Sequence, residues 1–279
     1  MPDRYAVIGH PIAHSKSPLI HGLFAQATGQ DMRYEAIDGG AEAGGFGRAL
    51  AAFRAAGGRG VNVTLPFKLE ALAAAGEASD DARLAGAANA LRFDGDRVQA
   101  CNFDGIGLAR DIEVNLGLPL AGRRVLLLGA GGAARGALLP LARAGARRIA
   151  IANRTAAKAA SLARELAPHL PGSCILSGGA LADLPAGETF DLVLNATSAS
   201  LSAGTPAVPP GAFAPGALAY DMVYGQGLTP FLQLAQAAGA TRVADGAGML
   251  VEQAAEAFAW WRGMRPDTRQ VLSMLQSRS

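Results

Sequence analysis

The stretch 123–155, RRVLLLGAGGAARGALLPLARAGARRIAIANRT, decides the fold. A short apolar run, Val125–Leu128, ends in a glycine cluster, as a strand buried in a parallel sheet does. Helix-forming residues follow, Gly145 supplies a carboxyl-terminal stop, and 148–152 forms a second apolar run. The stretch therefore predicts one strand–helix–strand unit of a parallel sheet.

The glycine cluster in this unit predicts a dinucleotide site. Gly129, Gly131 and Ala134 match the pattern G-x-G-x-x-G/A. The first position permits a tight turn, the second lets a pyrophosphate approach the backbone, and the third allows close packing of helix on strand. The amino terminus of the following helix offers free N–H groups and a partial positive charge to the pyrophosphate. A turn with no ligand is the alternative.

The end of the second predicted strand indicates which nucleotide binds. An NAD enzyme usually carries Asp or Glu about twenty residues after the glycines, to accept a hydrogen bond from the ribose 2′-OH. This chain has Asn153, Arg154 and Thr155 there. Because a guanidinium binds a phosphate through two parallel hydrogen bonds, this sequence favours NADP. The alternative is a solvated Arg154 beside a Thr155 that caps the next helix.

Composition narrows the class of protein. The chain has 279 residues, 50% of them apolar, which predicts a large core and two domains. Lys and Arg total 25 against 23 Asp and Glu, with no basic run, so neither a nucleic-acid nor a membrane surface is expected. No signal-peptide or membrane-span pattern is found, and a cytoplasmic location is expected. Cys101, Cys174 and the histidines lack metal-ligand spacing, so no metal is expected.

Lysine is scarce, and this makes one lysine a catalytic candidate. Only Lys16, Lys68 and Lys158 occur, so arginine supplies 22 of the 25 basic residues. A guanidinium does not give up its proton near neutral pH, whereas an ammonium can be tuned to do so. Lys68 follows the predicted strand 60–64, near its carboxyl end, where ligands bind in open α/β sheets. A solvated lysine at a helix start is the alternative.

Strand and helix patterns alternate over the rest of the chain, which predicts an α/β fold. Ser17, before Pro18, is expected to cap the first helix. In the last helix, which opens at Gly246, Glu252 and Glu256 are expected opposite the apolar stripe. Further predicted elements are strands at 5–8, 33–37, 173–176, 191–195, 218–222 and 241–244, helices at 42–56 and 229–238, and a hairpin of 90–93 with 97–100.

The order of the motifs resembles the shikimate dehydrogenase family. The resemblance implies an amino-terminal α/β substrate domain, 1–104, joined by a carboxyl-terminal helical segment, 247–279, and a Rossmann-like doubly wound NADP domain, 105–246. The motifs are GHPIAHSKSP (9–18), NVTLPFK (62–68), GAANAL (86–91), NFDGIG (102–107), GAGGAA (129–134), NRT (153–155), NATS (195–198), YDMVY (220–224) and DGAGMLVEQA (245–254).

The resemblance also implies roles for single residues, with Lys68 and Asp104 as the catalytic pair. From the residues alone, Asp104 could merely cap a helix, and Gln253 could be a structural amide. The implied substrate contacts are Ser15, Ser17, Thr64, Asn89, Asp104, Tyr224 and Gln253. The implied cofactor contacts are Gly129, Ala130, Gly131, Gly132, Ala133, Asn153, Arg154, Thr155, Lys158, Thr197, Met222 and Gly246, with Asp80 as a weaker one.

The implied activity is the reversible NADPH-dependent reduction of 3-dehydroshikimate to shikimate in aromatic amino-acid biosynthesis, by a monomer or homodimer with a small-molecule substrate. A quinate/shikimate dehydrogenase of broader range and a non-catalytic NADP-binding regulator are the alternatives. The chain departs from the family pattern at Phe103 and Ala90, where Thr is usual, at Lys158, where Arg is common, and at Ser200, where Gly is usual. If the backbone is extended there, the Phe103 ring points away from the Asp104 carboxylate and packs beneath the site.

Overall fold

Two six-stranded β-sheets carry the fold, one in each of two units of the chain. The computed structural model describes residues 1–197, 208, 211–225 and 227–276. The first unit comprises Met1–Gly107 with Val251–Met274, and the second comprises Leu108–Leu250 with Leu275–Ser279.

The elements of the amino-terminal part alternate between strand and helix, as the sequence pattern predicts. The first helix has Pro18 in its first turn, where a missing N–H costs nothing, and it ends at Gly29, whose φ of 64° suits glycine. In chain order the elements are β1 (Asp3–Gly9), α1 (Ser17–Thr28), β2 (Met32–Asp38), α2 (Gly45–Ala55), β3 (Gly58–Val63), α3 (Lys68–Ala73), β4 (Glu77–Ala78), α4 (Asp80–Ala85), β5 (Ala90–Asp94), β6 (Arg97–Cys101) and α5 (Asp104–Arg110).

The remaining elements contain the glycine-rich strand–helix–strand unit and the helices that end the chain. A π-helical turn over Asp111–Asn115 continues α5. The elements that follow are β7 (Arg124–Leu128), α6 (Gly132–Arg143), β8 (Arg148–Ala152), α7 (Ala156–Leu166), β9 (Ile175–Gly179), β10 (Phe190–Asn195), β11 (Phe213–Asp221), α8 (Pro230–Ala237), β12 (Arg242–Asp245), α9 (Ala247–Arg262) and α10 (Arg269–Gln276).

The sheet of the first unit is mixed, with the order β2-β1-β3-β5-β6-β4. β1 lies parallel to β2 and β3, as crossover helices require, whereas β5 lies antiparallel to β3 and β6. The predicted hairpin is confirmed as β5 and β6. Phe46, Leu50 and Phe53 of α2 pack against Ile8 and Val61, so this helix covers one face of the sheet.

The sheet of the second unit is parallel throughout, with the order β9-β8-β7-β10-β11-β12. Taken in chain order, the strands run 3-2-1-4-5-6, the doubly wound arrangement that the glycine pattern predicts. The order reverses between β7 and β10. Ligands of open α/β sheets bind outside the carboxyl ends of the strands at such a reversal, and the glycine cluster follows β7 there. The predicted fold class is confirmed.

Ser17 does not cap α1, and this prediction is wrong. The Ser17 side chain makes no capping hydrogen bond because Ser17 is itself the first helical residue. Its hydroxyl is buried instead, near the Tyr34 hydroxyl. Ser15 takes over part of the capping, since its Oγ accepts from the Ser17 N–H at 3.3 Å.

Glu252 is predicted to lie on the side of α9 opposite the apolar stripe, and the structure buries it there. Its side chain is only 1% exposed. The segment that follows α9 folds back and covers that side, so that Arg265 forms an ion pair with Glu252 and Thr268 Oγ1 donates to it at 2.7 Å. Helical periodicity reports which side is apolar, and here the polar side is buried as well.

Candidate active site

An ion pair between Lys68 and Asp104 lies at the centre of the candidate site in the first unit. Lys68 begins α3 just after β3, and Asp104 begins α5. Lys68 Nζ donates to Asp104 Oδ2 at 2.6 Å, and the two side chains are 27% and 22% exposed. The pair is therefore half-buried yet reachable, as an acid–base pair that meets a substrate has to be.

The second oxygen of Asp104 is held by Asn89, a predicted substrate contact. Asn89 Nδ2 donates to Asp104 Oδ1 at 2.8 Å and to Gln253 Oε1 at 3.0 Å. Asn89 Oδ1 accepts from the Phe103 N–H at 2.8 Å. Because its oxygen faces a donor and its nitrogen faces two acceptors, the orientation of the buried Asn89 amide is fixed. The structure thus brings together four of the predicted site residues.

Gln253 reaches this cluster because two helices approach closely. A Cβ on Gly107 would lie 2.5 Å from the Gln253 backbone nitrogen. Only glycine at 107 lets α5 and the first-unit part of α9 meet at this distance. The glycine of the motif NFDGIG therefore explains how a residue from the end of the chain comes beside Asn89.

Two asparagines that were given no role in the sequence analysis support the cluster from behind. Asn102 Oδ1 accepts from the Asp104 N–H at 3.1 Å, and its Nδ2 donates to the Ala87 carbonyl at 3.0 Å. Asn102 thereby makes the capping bond at the start of α5 and leaves the Asp104 carboxylate to Lys68 and Asn89. Asn62 Nδ2 donates to the Asn89 carbonyl at 3.2 Å. Asn62 lies in the motif NVTLPFK and Asn102 in the motif NFDGIG, so their places in these motifs could have indicated a role.

The other predicted substrate contacts lie in two places. Ser15, Ser17 and Thr64 follow β1 and β3 in the first unit, where the carboxyl ends of these parallel strands meet. The Thr64 N–H donates to the Ile8 carbonyl, which ties the two strand ends together. Tyr224 belongs to the second unit, where it follows β11 with its side chain exposed.

In the second unit, the glycine loop has the geometry that a pyrophosphate needs. Gly129 has a φ of 109°, a conformation that favours glycine, and a Cβ there would lie 3.0 Å from Thr197 Cγ2. Among the described residues, a Cβ on Gly131 or Gly132 would meet nothing within 4 Å, so the described part of the chain leaves space outside the loop. α6 begins at Gly132 without a side-chain cap, which leaves its N–H groups available to an anion. Ala130 and Ala133 complete the predicted loop.

The residues after β8 suit a 2′-phosphate. Arg154, in the turn after β8, and Lys158, in the first turn of α7, are both exposed, and within the described part of the chain neither has an ion-pair partner. Asn153 Nδ2 donates to the Thr155 carbonyl at 3.0 Å, which orders the turn between them. Thr155 occupies the N-cap position of α7, but its side chain makes no capping hydrogen bond. These residues fit NADP.

The remaining predicted cofactor contacts lie mostly at the carboxyl edge of the second sheet. Thr197 follows β10, Met222 follows β11 and Gly246 follows β12. The Met222 N–H donates to the Asn195 carbonyl, and the Gly246 N–H donates to the Val223 carbonyl. Asp80, the weaker candidate, lies in the first unit at the start of α4, where it forms an ion pair with Arg83.

The departures from the family pattern fall in different places. Phe103 and Ala90 are buried in one apolar cluster with Cys101 and Ala257, and the Phe103 ring meets Trp260 edge-on at 5.6 Å. The prediction that the ring is buried is confirmed. Ser200 lies outside the described residues, as does Ser198 of the motif NATS.

Neither a metal centre nor a membrane span is found where the structure describes the chain. Over those residues, His, Cys, Asp and Glu side chains do not gather in a group that could hold a metal ion. Over the same residues, every helix is too short or too polar to cross a membrane.

Comparison with known proteins identifies the family. Three family models match, described as shikimate dehydrogenase substrate binding domain over 7–91, shikimate / quinate 5-dehydrogenase over 111–202 and shikimate 5'-dehydrogenase C-terminal domain over 246–273. A shikimate dehydrogenase (NADP(+)) from Dechloromonas aromatica is 57% identical over 278 residues, which cover 100% of this chain and 99% of that protein.

Solved structures agree with this result. The crystal structure of the Ael1 enzyme from Pseudomonas putida is 57% identical, covers 98% of each chain and has a TM-score of 0.91. The structure of shikimate 5-dehydrogenase from Thermus thermophilus, in complex with NADP(H) and shikimate, is 33% identical, covers 97% of each chain and has a TM-score of 0.81. With this sequence identity over the full length, and with the two folds and the motif residues in place, the chain belongs to the NADP-dependent shikimate dehydrogenase family.

Proposed function

We propose that the chain catalyses the reversible NADPH-dependent reduction of 3-dehydroshikimate to shikimate. The observation that carries the proposal is the pairing of Lys68 with Asp104 at 2.6 Å, in the unit that matches a substrate binding domain. The name of the relative at 57% identity supports the same reaction and cofactor. We assign substrate binding to the first unit and NADP binding to the second.

Lys68 supplies charge and a proton at the carbonyl oxygen that is reduced. Bound NADPH supplies the hydride to the carbonyl carbon. As the oxygen becomes an alkoxide, the Lys68 ammonium stabilises the developing negative charge and transfers a proton from Nζ to it. In the reverse direction, neutral Lys68 takes the proton from the hydroxyl. Asp104 holds the ammonium in place, and Asn89 holds Asp104.

Hydroxyl and amide groups around the pair suit a polyhydroxylated carboxylate. The Ser15 hydroxyl accepts from the Ser17 N–H and keeps its own proton, so it can donate to a substrate carboxylate. Ser17, Thr64 and Gln253 of the same unit add further groups for the ring hydroxyls and the carboxylate. Such groups are effective because a substrate that lacks a matching hydroxyl leaves them unpaired.

The NADP assignment rests on charge and open space together. The open amino terminus of α6 receives the pyrophosphate, and Arg154 with Lys158 receives the 2′-phosphate. Both cations are without an ion-pair partner among the described residues, so binding a phosphate displaces no existing pair. An NAD enzyme would need an acceptor for the ribose 2′-OH where this chain has Asn153 and Arg154.

The test is a turnover assay that follows reduced nicotinamide by absorbance. NADP with shikimate should give turnover, NADP with quinate should give much less, and NAD with shikimate should give much less. Equal rates with quinate would favour the broader quinate/shikimate enzyme. NADP binding without turnover of either substrate would favour a regulator and overturn the proposal. The expected cytoplasmic location and monomer-or-homodimer state form part of the proposal, and cell fractionation and light scattering test them.

A further inference from the structure

A buried chain of polar groups runs behind Thr197 in the second unit. Thr197 Oγ1 donates to Asn195 Oδ1 at 2.7 Å, and the Thr197 N–H donates to the same oxygen at 3.1 Å. Asn195 Nδ2 donates to Asp221 Oδ1 at 3.0 Å. Asn195 and Asp221 are both 0% exposed. This series of buried hydrogen bonds therefore joins the carboxyl ends of β10 and β11.

Asp221 receives further donors from its own side of the sheet. The Val223 N–H donates to Asp221 Oδ1 at 3.1 Å, and Thr229 Oγ1 donates to Asp221 Oδ2 at 2.6 Å. Thr229 also accepts from the Leu232 N–H as the cap of α8. Both carboxylate oxygens thus accept hydrogen bonds, which is how a buried carboxylate is kept in a protein interior.

The direction of every hydrogen bond in this chain follows from Asp221. A carboxylate only accepts, so the Asn195 group that faces it has to be the NH₂. The Asn195 oxygen then faces Thr197, whose backbone N–H can only donate. Turning the amide round would oppose oxygen to carboxylate and NH₂ to N–H. The single proton of the Thr197 hydroxyl is therefore committed to Asn195, and any further bond of Thr197 Oγ1 is one in which it accepts.

We propose that Asp221 is a positioning residue that acts through Asn195 to present Thr197 as a hydrogen-bond acceptor to the dinucleotide. The group it recognises is a donor, either the carboxamide NH₂ of the nicotinamide or a ribose hydroxyl. This inference rests on the proposed function only in that it takes Thr197 to be a cofactor contact. It adds the direction of the hydrogen bond, because Thr197 accepts from the cofactor and does not donate to it.

The experiment measures the equilibrium binding of NADP by titration, so turnover is not needed and failure of the proposed reaction does not affect the result. Thr197→Val should weaken NADP binding roughly 3- to 10-fold, the scale of one hydrogen bond, and Thr197→Ser should bind like the wild type. Unchanged binding in Thr197→Val overturns the proposal. This single substitution keeps the test available even where Asp221 variants fail to fold.

A double-mutant cycle separates positioning from mere support. Asp221→Asn should weaken NADP binding several-fold in the wild-type background and have little effect in the Thr197→Val background, where no hydroxyl remains to be oriented. Equal losses in both backgrounds would mean that Asp221 acts only on the general structure, and would overturn the proposal. Asp191→Asn is the matched control, since Asp191 lies in the same strand as Asn195 but accepts from the Arg124 N–H near the opposite end of the strand. It should leave NADP affinity unchanged.

The source of the donor is distinguished with the 3-acetylpyridine analogue of NADP, in which a methyl group replaces the carboxamide NH₂. If the NH₂ is the donor, Thr197→Val should not weaken binding of the analogue. If a ribose hydroxyl is the donor, Thr197→Val should weaken the analogue as much as NADP. Both results agree with an accepting Thr197, and the first also excludes donation by Thr197 to the nicotinamide carbonyl, which the analogue keeps. Tighter binding of NADP to Thr197→Val than to the wild type would contradict it.

Discussion

Asn89 and Asp104 are joined by an N–H···O hydrogen bond of 2.8 Å, so the carboxylate that holds Lys68 is itself held. The same Asn89 nitrogen also donates to Gln253 Oε1, and Asn89 Oδ1 accepts a hydrogen bond from the Phe103 N–H. The position of the Lys68 ammonium is therefore set through two successive hydrogen bonds that begin at a buried amide.

Removing this support should lower catalysis more than substrate affinity. Asn89→Ala leaves one oxygen of Asp104 without its donor, and a hydrogen bond to a charged group is worth about 1.5–3 kcal/mol. We expect kcat to fall roughly 10- to 150-fold, with a smaller change in KM. Steady-state kinetics with shikimate check this. A change confined to KM would make Asn89 a substrate contact and no more.

Loss of the lysine itself should be more severe. Lys68→Ala should lower kcat by about 10²–10⁴, the usual contribution of general acid–base catalysis, with KM far less changed. Lys68→Arg should not restore the rate, because a guanidinium does not exchange its proton near neutral pH. Lys158→Ala, at a lysine assigned to the cofactor, is the comparison and should affect NADP affinity instead. Near-normal kcat in Lys68→Ala would remove Lys68 from the chemistry.

Arg154 should discriminate between the two nicotinamide cofactors. Arg154→Asp replaces the proposed partner of the 2′-phosphate with a like charge, and should weaken NADP binding by about 1.5–3 kcal/mol. NAD has no phosphate at that position, so its affinity should change much less. Titration of the variant with both nucleotides checks this. Equal losses for the two would place the 2′-phosphate elsewhere.

His21 should make the first unit sensitive to acid. Its ring is fully buried and stacked on Tyr34, and burial lowers its pKa to about 3 from an ordinary value of 6.5, although nearby Asn62 offsets part of the shift. Below about pH 6.5 the unfolded chain takes up a proton that the folded chain refuses. The contribution of neutral His21 to the free energy of unfolding is therefore complete above that pH and is lost as the pH falls toward 3. The slope of this loss approaches about 1.4 kcal/mol per pH unit.

His21→Phe removes the titrating group and keeps an aromatic ring in place. The difference in unfolding free energy between the variant and the wild type should therefore shift in favour of the variant as the pH falls. Urea unfolding of both proteins at about pH 7 and about pH 5 measures this. Identical pH dependence in the two proteins would show that His21 takes up its proton as readily in the folded protein as in the unfolded chain.

Phe103 and Ala90 should behave as a pair, because the two departures from the family pattern share one buried cluster. Phe103→Thr should cost about 1–3 kcal/mol of unfolding free energy through lost burial. Ala90→Thr should lower the unfolding free energy less in the Phe103→Thr variant than in the wild type. In the variant, the hydroxyl introduced at position 90 finds a partner in the space left by the ring. The ratio of kcat/KM for shikimate and quinate should stay unchanged. A tenfold shift of that ratio would mean that the ring lines the substrate pocket.

The fold could be predicted where local sequence decides it. The glycine pattern between two apolar runs involves only residues close together in the sequence. It therefore predicts the doubly wound parallel sheet of the second unit. β11 was predicted only from Leu218, since Pro215 and Gly216 interrupt the apolar run. In the structure this strand begins at Phe213, and its register with β10 shifts between Phe190 and Leu192. A partner strand can hold a segment whose own composition argues against a strand.

The contacts that sequence reasoning missed depend on partners that are distant in the sequence. Asn62 reaches the Asn89 carbonyl 27 residues away, and Glu252 is buried by residues that fold back on α9. Periodicity cannot show either contact, because it reports the side of an element on which a residue lies and not what covers that side. The motif matches supplied the candidate site residues, and hydrogen bonds connect four of them, Lys68, Asp104, Asn89 and Gln253.

Gly131 belongs to the proposed pyrophosphate loop, although its own backbone conformation does not require glycine. Any residue can adopt its φ of −93°, and a Cβ there would meet nothing within 4 Å in the described part of the chain. A methyl group at such a position commonly stabilises a protein by about 0.4–1 kcal/mol, because it restricts the unfolded chain. Glycine at this position therefore costs the ligand-free protein stability. We attribute it to the proposed pyrophosphate, which would approach the backbone where a side chain would stand.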